Sequence, residues 1–246
     1  IRQMAPSLRA SLVLRKSLTC PLSCLVGSWR YLKRSLGRII QAPGPMIVVE
    51  GADGVGKSTL IENLIPCMQA LTGRKDMLLF HWKPRRASIR LPGQTVGEAS
   101  SPRAKSPRSS FASLAYLAYH WLGFWFGYFR HLLPAMAANR SVIADRYAYE
   151  FELDPLRLRI KLPAWIRKLA SRCSPRPNVI LALIADPESI RTRKPELTVD
   201  EIGDYQANLV TMIESTPSAH RLDAGKPADE VLEEALGVLR HHLYRA

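Results

Sequence analysis

The chain has 246 residues, 47% of them hydrophobic, which is enough for one α/β domain of ordinary core size plus an extension. Its net charge of +14 comes from two segments: residues 1–45 carry eight Lys or Arg and no acid, and residues 83–108 carry seven basic residues and one acid. Because the rest of the chain is neutral overall, no specific nucleic-acid binding is expected. The four cysteines complete no zinc-binding pattern, and their use predicts a reducing, cytoplasmic location.

Residues 1–45 are predicted to form a basic leader or linker, ending in Pro43-Gly44-Pro45, ahead of a domain that spans residues 46–246. The chain begins at Ile1 rather than Met, so we favour the tail of an upstream domain. Two other interpretations stay open. Residues 1–40 could lie on a membrane surface as a basic amphipathic element, or they could be a transit peptide.

The segment Gly51-Ala-Asp-Gly-Val-Gly-Lys-Ser58 fits the phosphate-binding pattern G-x-x-x-x-G-K-[ST], between an apolar strand and a helix. Glycines let successive N–H groups point at phosphate oxygens, and the helix N-terminus adds partial positive charge. Lys57 can reach the β- and γ-phosphates, and the Ser58 hydroxyl can ligate Mg²⁺. ATP and Mg²⁺ are the predicted cofactors. The residues expected to contact them are Gly51, Asp53, Gly54, Val55, Gly56, Lys57, Ser58 and Thr59.

Short apolar runs alternate with helical patterns along the chain, which predicts an α/β fold with a parallel sheet of five strands flanked by helices. The candidate strands are Met46–Glu50, Met77–His81, Ser141–Asp145, Asn178–Ala185 and Ala219–Leu222. The candidate helices are Lys57–Leu71, Phe111–Ala137, Pro163–Arg172, Thr198–Glu214 and Ala228–Arg245. Thr198 and Glu201 form a capping box, and Asp186-Pro187 also has the pattern of a helix start.

Two stretches between the second and third predicted strands are unusual. Residues 92–110 are rich in Ser, Pro and basic residues, which predicts a flexible insertion without a core. Residues 111–129 contain nine of the nineteen aromatic residues and no formal charge. The length would suffice for a membrane span, but the tyrosines, His120 and glycines favour a long buried helix packed under the insertion or against another subunit.

The third strand ends in Asp145-Arg146-Tyr147. Groups at the carboxyl ends of strands line the ligand crevice of an open α/β sheet. Asp145 could hold the hydration shell of Mg²⁺ or accept a hydrogen bond from the substrate, and Arg146 could clamp a phosphate. Tyr147 could stack on or hydrogen-bond a substrate ring. A structural Asp–Arg pair that closes a loop is the competing interpretation.

Together, IVVEGADGVGKSTL and VIADRY resemble the thymidylate kinase family of P-loop nucleotide kinases. The similarity continues in order over about residues 46–246, and it implies the P-loop kinase fold and phosphoryl transfer from Mg-ATP to a small-molecule acceptor, most simply a nucleoside monophosphate. By matching position, Asp53 would approach the sugar of the acceptor and Arg146 its phosphate. Lys57 and Asp145 would serve catalysis.

Other segments also match this family. Arg191-Thr-Arg-Lys194 lies where such kinases carry a basic lid, so Arg191, Arg193 or Lys194 would meet transition-state charge. Arg221-Leu-Asp-Ala224 is similar to the last strand and the loop beside adenine. A homodimer through helices near Phe111–Ala137 is implied by the resemblance alone.

The acceptor side departs from the family pattern. After the second strand, where the family has Thr-Arg-Glu-Pro-Gly-Gly, this chain has His81-Trp-Lys-Pro-Arg-Arg86. Lys83, Arg85 or Arg86 could bind an anionic acceptor, and Trp82 could stack on a ring or be part of the core. The mixture is also similar to a bacterial subset of thymidylate-kinase-like proteins that accompany surface-polysaccharide genes. A sugar or glycan acceptor, and a nucleotide-binding regulatory or membrane-surface module without turnover, therefore stay open as alternatives.

Overall fold

The computed structural model describes residue 37 and residues 43–73, 76–82, 88–89 and 108–243. The chain divides into two units, Ile1–Ala42 and Pro43–Ala246, and every element below belongs to the second unit. Most of the predicted leader and of the insertion at 92–110 lies outside the described residues.

Six strands form one sheet in the order β3-β2-β4-β1-β5-β6. Their bounds are β1 Met46–Gly51, β2 Leu78–His81, β3 Ser88–Ile89, β4 Val142–Asp145, β5 Val179–Ile184 and β6 Ala219–Asp223. Five of them run parallel, which confirms the predicted five-stranded parallel sheet. The two-residue strand β3 pairs antiparallel with β2 at the edge and was not predicted, because two residues carry no recognisable period.

The central strands are apolar because they are buried on both faces. Every residue of β1, β4 and β5 is buried, as expected for a parallel sheet covered by helices on both sides. Strand β1 lies between β4 and β5. The segments that follow these three strands therefore emerge side by side at the carboxyl edge of the sheet, where α/β proteins bind ligands.

The helices are α1 Lys57–Thr72, α2 Ser110–Gly127, α3 Leu133–Ala137, α4 Glu150–Leu153, α5 Ala164–Arg172, α6 Pro187–Arg193, α7 Val199–Glu214 and α8 Ala228–Leu243, with a π-helix at Tyr128–Leu132. Both predicted helix starts are confirmed. Asp186 Oδ2 accepts a hydrogen bond from Ser189 N at 2.9 Å, and Thr198 and Glu201 form the reciprocal capping box.

The long aromatic helix differs from its prediction in its continuity. The single helix expected over Phe111–Ala137 is divided into α2, the π-helix and α3. It is also buried on one face only: Phe124 is 1% exposed, whereas Phe111, Phe126 and Phe129 are 83%, 59% and 59% exposed. None of the helices that the structure describes is both long enough and apolar enough for a membrane crossing.

The segment predicted as a linker is partly packed on the domain. Gly44 is buried, and its N–H donates to the Met136 carbonyl oxygen at 3.0 Å. A Cβ at Gly44 would lie only 2.2 Å from the Arg140 carbonyl oxygen, so a larger residue could not make this approach. Gly44 and Pro45 therefore belong to the packed structure.

Candidate active site

The phosphate-binding pattern forms the loop between β1 and α1, at the carboxyl end of a central strand. Gly54 and Gly56 have φ angles of 89° and 110°, which glycine adopts without the steric cost that other residues pay. Helix α1 begins directly after Gly56, and no side chain caps its first N–H groups. These N–H groups can therefore bind an anion, which the helix dipole would also stabilise.

The side chain of Lys57 is folded over this loop and is 7% exposed. Its Nζ donates hydrogen bonds of 2.8 Å to the carbonyl oxygens of Gly51 and Ala52, and it lies 3.7 Å from Asp53 Oδ1. Burial, followed by the charge of Arg146, lowers the pKa of Lys57 to about 8, against the opposing effect of Asp53. The ammonium group is thus held at the loop that would receive nucleotide phosphates.

A cavity of about 310 Å³ lies beside the loop. The predicted residues among those that line it are Val55, Gly56, Thr59, Arg193 and Ala224. The structure thus brings together the phosphate loop, the basic segment after β5 and the loop after β6, as a nucleotide site requires. Arg191 is exposed on the same helix as Arg193 and is not part of the cavity wall.

Helix α6, which carries Arg191 and Arg193, packs directly on the phosphate loop. A Cβ built at Gly54 would lie 2.8 Å from Lys194 Cβ and 3.3 Å from the Ile190 carbonyl oxygen. The side chain of Lys194 pairs with Glu196, with Nζ and Oε1 separated by 3.7 Å. The basic segment predicted as a lid therefore contacts the loop through its backbone and Cβ atoms.

Asp145 is paired with a histidine on the neighbouring strand. His81 and Asp145 are register partners at the ends of β2 and β4, and His81 Nδ1 lies 3.0 Å from Asp145 Oδ2. Burial tends to raise the pKa of Asp145, but the hydrogen bond with His81 and the charge of Lys57 outweigh it, so the pKa lies below its usual value. Asp145 is therefore a carboxylate.

The donor set fits the predicted Mg²⁺. Asp145 Oδ1 is buried and has no hydrogen-bond partner among the described residues, which leaves one carboxylate oxygen for a cation or its water shell. Ser58 is exposed in the first turn of α1, where its hydroxyl can reach a ligand. Carboxylate, hydroxyl and water oxygens, completed by nucleotide phosphates, are the ligands that Mg²⁺ prefers.

Arg146 connects β4 to the phosphate loop. It has a left-handed backbone, with a φ of 67°, and its N–H donates to the Val49 carbonyl oxygen at 3.0 Å. Its Nη2 lies 2.6 Å from Asp53 Oδ1, its Nη1 donates to Glu150, and the side chain is 2% exposed. The guanidinium predicted to bind a phosphate is therefore engaged by two carboxylates and largely buried.

Two of the residues around Arg146 were missed from the sequence. Glu150 Oε1 accepts hydrogen bonds from Arg146 and from the Tyr205 hydroxyl, the latter at 3.0 Å. Glu150 lies four residues after Arg146, but Arg146 precedes α4 and has a left-handed backbone, so the spacing rule for helical ion pairs did not identify this contact. No local pattern pointed to Tyr205, which comes from α7 and is brought in by the tertiary fold.

Glu50 is a second buried carboxyl group beside this cluster. Its Oε1 accepts a 2.8 Å hydrogen bond from Tyr147 N. Burial and the nearby charge of Glu150 raise the pKa of Glu50 well above its usual value, despite the opposing effect of Arg146. Glu50 and the Arg146–Glu150 ion pair therefore form one buried cluster of ionisable side chains.

Asp53 is contacted by a third cation, Arg157, which sequence analysis also missed. Arg157 Nη1 lies 3.3 Å from Asp53 Oδ2. Burial works to raise the pKa of Asp53, but the charges of Arg146, Lys57 and Arg157 prevail and hold the pKa far below its usual range. Asp53 is therefore the shared partner of three cationic side chains.

On the acceptor side, Trp82 belongs to an aromatic cluster. Its φ is 55°, its N–H donates to the Asp145 carbonyl oxygen at 2.9 Å, and its ring lies 5.3 Å from that of His120. The rings of Tyr116 and His120 are 4.3 Å apart. Trp82 is thus half-buried next to Asp145, where it was predicted to meet the substrate. Lys83, Arg85 and Arg86 lie outside the described residues.

Tyr147 is placed differently from its prediction. Its side chain is fully buried, and its ring packs edge-on against Phe124, with centroids 4.9 Å apart, and against Phe80 at 6.3 Å. This position leaves no exposed ring surface on which a substrate could stack. Arg146 follows the last residue of β4 and has a left-handed backbone with a φ of 67°, so the chain turns there: Arg146 contacts the phosphate loop, and Tyr147 packs against the aromatic helix.

Comparison with known proteins agrees with the fold. No family model matches the chain. An ATP-binding protein of Escherichia coli strain K12, YghS, whose activity is uncharacterised, is 23% identical over 83% of this chain and 96% of its own length. The crystal structure of thymidylate kinase from Ehrlichia chaffeensis superposes with a TM-score of 0.53, covering 80% of this chain and 98% of the kinase at 16% identity. The chain therefore has the α/β P-loop fold that thymidylate kinase also has.

Proposed function

We propose that this protein transfers the γ-phosphoryl group of Mg-ATP to a small acceptor, most simply a nucleoside monophosphate. The observation that carries the proposal is the joining of two half-sites through Asp53. This residue lies within the phosphate loop, and its carboxylate is 2.6 Å from Arg146 at the end of β4. The phosphate loop, which would bind the triphosphate, and the end of β4, which would bind the acceptor, are thus joined directly by one ion pair.

The nucleotide half of the reaction is assigned to the loop and the cavity beside it. The N–H groups of the loop and Lys57 would bind the β- and γ-phosphates, while Thr59 and Ala224 would line the nucleoside side. Lys57 would exchange its two carbonyl partners for phosphate oxygens, which are stronger acceptors because they are charged. Arg193 lies at the wall of this cavity and would supply positive charge as the phosphoryl group moves.

The acceptor half is assigned to the end of β4. An acceptor oxygen attacks the γ-phosphorus in line with the departing ADP, and the acceptor gains the phosphoryl group. Ser58 and Asp145 would hold Mg²⁺, which when bound neutralises charge on the phosphate oxygens. His81 fixes the orientation of the Asp145 carboxylate through its 3.0 Å contact. Catalysis of this kind depends on positioning and electrostatics rather than on a covalent intermediate.

An assay of the protein with a panel of candidate acceptors tests this proposal. ADP release from ATP would be measured with dTMP, other nucleoside monophosphates, hexoses and hexose phosphates, for the wild type and for Lys57→Ala. Turnover of a nucleoside monophosphate that depends on Lys57 supports the proposal. Turnover of sugars alone would instead support the alternative in which the acceptor is a sugar or glycan. ATP binding with no turnover of any acceptor would favour a nucleotide-binding module.

A further inference from the structure

Arg157 is a cationic residue of the site that the phosphate-binding pattern does not include. It lies between α4 and α5, and its N–H donates to Asp154 Oδ1 at 3.0 Å, which fixes the turn. Its Nη1 reaches Asp53 Oδ2 at 3.3 Å, and its side chain is 21% exposed. Arg157 therefore approaches the phosphate loop with a guanidinium that solvent can still reach.

The two arginines on Asp53 differ in how firmly they are held. Arg146 is 2% exposed, lies 2.6 Å from Asp53 Oδ1 and is also paired with Glu150. For Arg157, within the part of the chain that the structure describes, the 3.3 Å contact with Asp53 is the one side-chain hydrogen bond. A guanidinium has five N–H donors. Arg157 thus keeps donors that a further anion can reach, whereas the Arg146 guanidinium is buried between two carboxylates.

The turn that carries Arg157 also connects the loop to the aromatic cluster around Trp82. Arg108 Nη1 donates to the carbonyl oxygen of Leu158, the residue after Arg157. The same Arg108 guanidinium lies 4.1 Å from the centroid of the Tyr116 ring. From there, contacts continue through Tyr116 and His120 to Trp82 and Asp145. Arg157 therefore contacts the phosphate loop directly, and its turn is connected to the acceptor-side residues through this series of contacts.

We propose that Arg157 binds the phosphate group of a phosphomonoester acceptor and thereby selects acceptors that already carry a phosphate. This inference rests on the proposed phosphotransferase function. In the structure the Asp53 carboxylate takes one guanidinium N–H at each of its two oxygens. A phosphate monoester offers three charged oxygens, so it can accept the spare donors of Arg157 while Arg146 stays on Asp53.

The test compares phosphorylated and unphosphorylated partners by isothermal titration of the full chain without ATP. The matched pairs are dTMP with thymidine and glucose 6-phosphate with glucose, which distinguish a nucleotide acceptor from a sugar acceptor. The variants are Arg157→Gln and Arg157→Lys. The control is Arg140→Gln, since Arg140 forms a 2.8 Å ion pair with Asp76 next to the opposite end of β4. The melting temperature and ATP affinity of every variant are measured alongside.

If Arg157 binds phosphate, Arg157→Gln weakens the binding of dTMP or of glucose 6-phosphate by roughly 10- to 100-fold, the range for a lost charge-assisted hydrogen bond. Arg157→Lys loses less, and Arg140→Gln binds like the wild type. Binding of the unphosphorylated partner and of ATP is unchanged. Wild-type affinity in Arg157→Gln would overturn the inference, and so would a wild-type protein that binds neither phosphorylated compound.

Failure of the proposed function gives a different result. A phosphorylated compound that binds in an Arg157-dependent manner but is never phosphorylated by ATP would remove the kinase assignment and keep the anion site. Turnover that depends on Lys57 but is insensitive to Arg157→Gln, in kcat and in acceptor KM, would keep the kinase and remove Arg157 from acceptor binding.

Discussion

Arg146 Nη2 lies 2.6 Å from Asp53 Oδ1, and this ion pair joins residues that are 93 positions apart in the chain. One partner belongs to the loop after β1 and the other follows β4. These two strands are neighbours in the sheet, with Val49 and Asp145 as register partners. The sheet therefore fixes the relative position of the phosphate loop and the strand end, and the ion pair holds their side chains together.

Lys57→Ala is expected to abolish phosphoryl transfer and to leave the fold intact. The ammonium is the cation of the loop itself, and its removal takes away charge that would meet the β- and γ-phosphates. Since burying this charge is costly, its loss should not lower the melting temperature. The measurements are ADP release and thermal unfolding. Lys161→Ala, which changes an exposed lysine, is the control, and a Lys57→Ala enzyme with full activity would contradict the mechanism.

The pKa of Lys57 predicts a pH dependence of stability. Burial lowers this pKa to about 8, so below pH 8 the lysine is charged in both the folded and the unfolded chain, and folding bears the full cost of burying it. Between pH 8 and the unfolded value of about 10.4, the unfolded chain binds more protons, and stability therefore rises with pH.

The expected gain is at most about 1.4 kcal/mol per pH unit in that window. The gain is measured by subtracting the free energy of unfolding of Lys57→Met from that of the wild type. Both values come from denaturant titrations at pH 7.5, 8.5 and 9.5. The subtraction removes groups that titrate in both proteins. A difference that stays constant or falls with pH would show that the pKa of Lys57 is not lowered in the folded protein.

Arg146→Ala is expected to lower the free energy of unfolding, and this loss of stability would obscure any effect on acceptor binding. The substitution leaves Glu150 as a charge that is 2% exposed without its cation, and this type of loss costs about 3–5 kcal/mol. The double variant Arg146→Ala/Glu150→Ala should recover part of that loss, because it removes the unpaired charge. Urea unfolding gives the coupling free energy.

The control for this cycle is Arg140→Ala, which breaks an ion pair whose side chains are 36% and 40% exposed. Pairs with this exposure contribute about 0–1 kcal/mol. If Arg146→Ala cost no more than Arg140→Ala, the buried cluster would not be a structural anchor. Loss of acceptor affinity in a stably folded Arg146 variant would instead support its direct contact with the acceptor.

Tyr147→Phe tests whether this tyrosine serves the core or the substrate. Its hydroxyl is buried without a hydrogen-bond partner among the described residues, and relieving that desolvation should raise the free energy of unfolding by about 1 kcal/mol. Tyr205→Phe is the matched comparison, because it removes the bond to Glu150 and should destabilise. An increase in acceptor KM for Tyr147→Phe at unchanged stability would return Tyr147 to the site.

The homodimer expected from the family resemblance stays a prediction, and the exposed side of the aromatic helix gives it a test. Phe126 and Phe129 are each 59% exposed on one side of the helix. Phe126→Glu should convert a dimer to a monomer in sedimentation experiments, since a buried charge in an apolar interface is costly. A wild-type monomer at micromolar concentration would refute the dimer.

The sequence was sufficient for the sheet and for the position of the phosphate loop between β1 and α1, because both depend on local patterns. Apolar runs, glycines at fixed offsets and the capping box at Thr198 each report on neighbours within a few residues. Arg157 and Tyr205 had no such pattern. They reach Asp53 and Glu150 from 104 and 55 positions away, so their roles depend on tertiary packing. The burial of Tyr147 could not be predicted from the motif, because a motif gives residue types and not the direction in which each side chain lies.

Gly54 and Lys194 approach each other so closely that the size of residue 54 limits how near α6 can lie to the phosphate loop. A Cβ at this position would lie 2.8 Å from Lys194 Cβ, so even alanine would push the helix away. Arg193, which lines the cavity beside the phosphate loop, would move with it. Gly54→Ala would therefore act twice, because a side chain at a φ of 89° strains the loop itself and its Cβ widens the separation between the loop and α6.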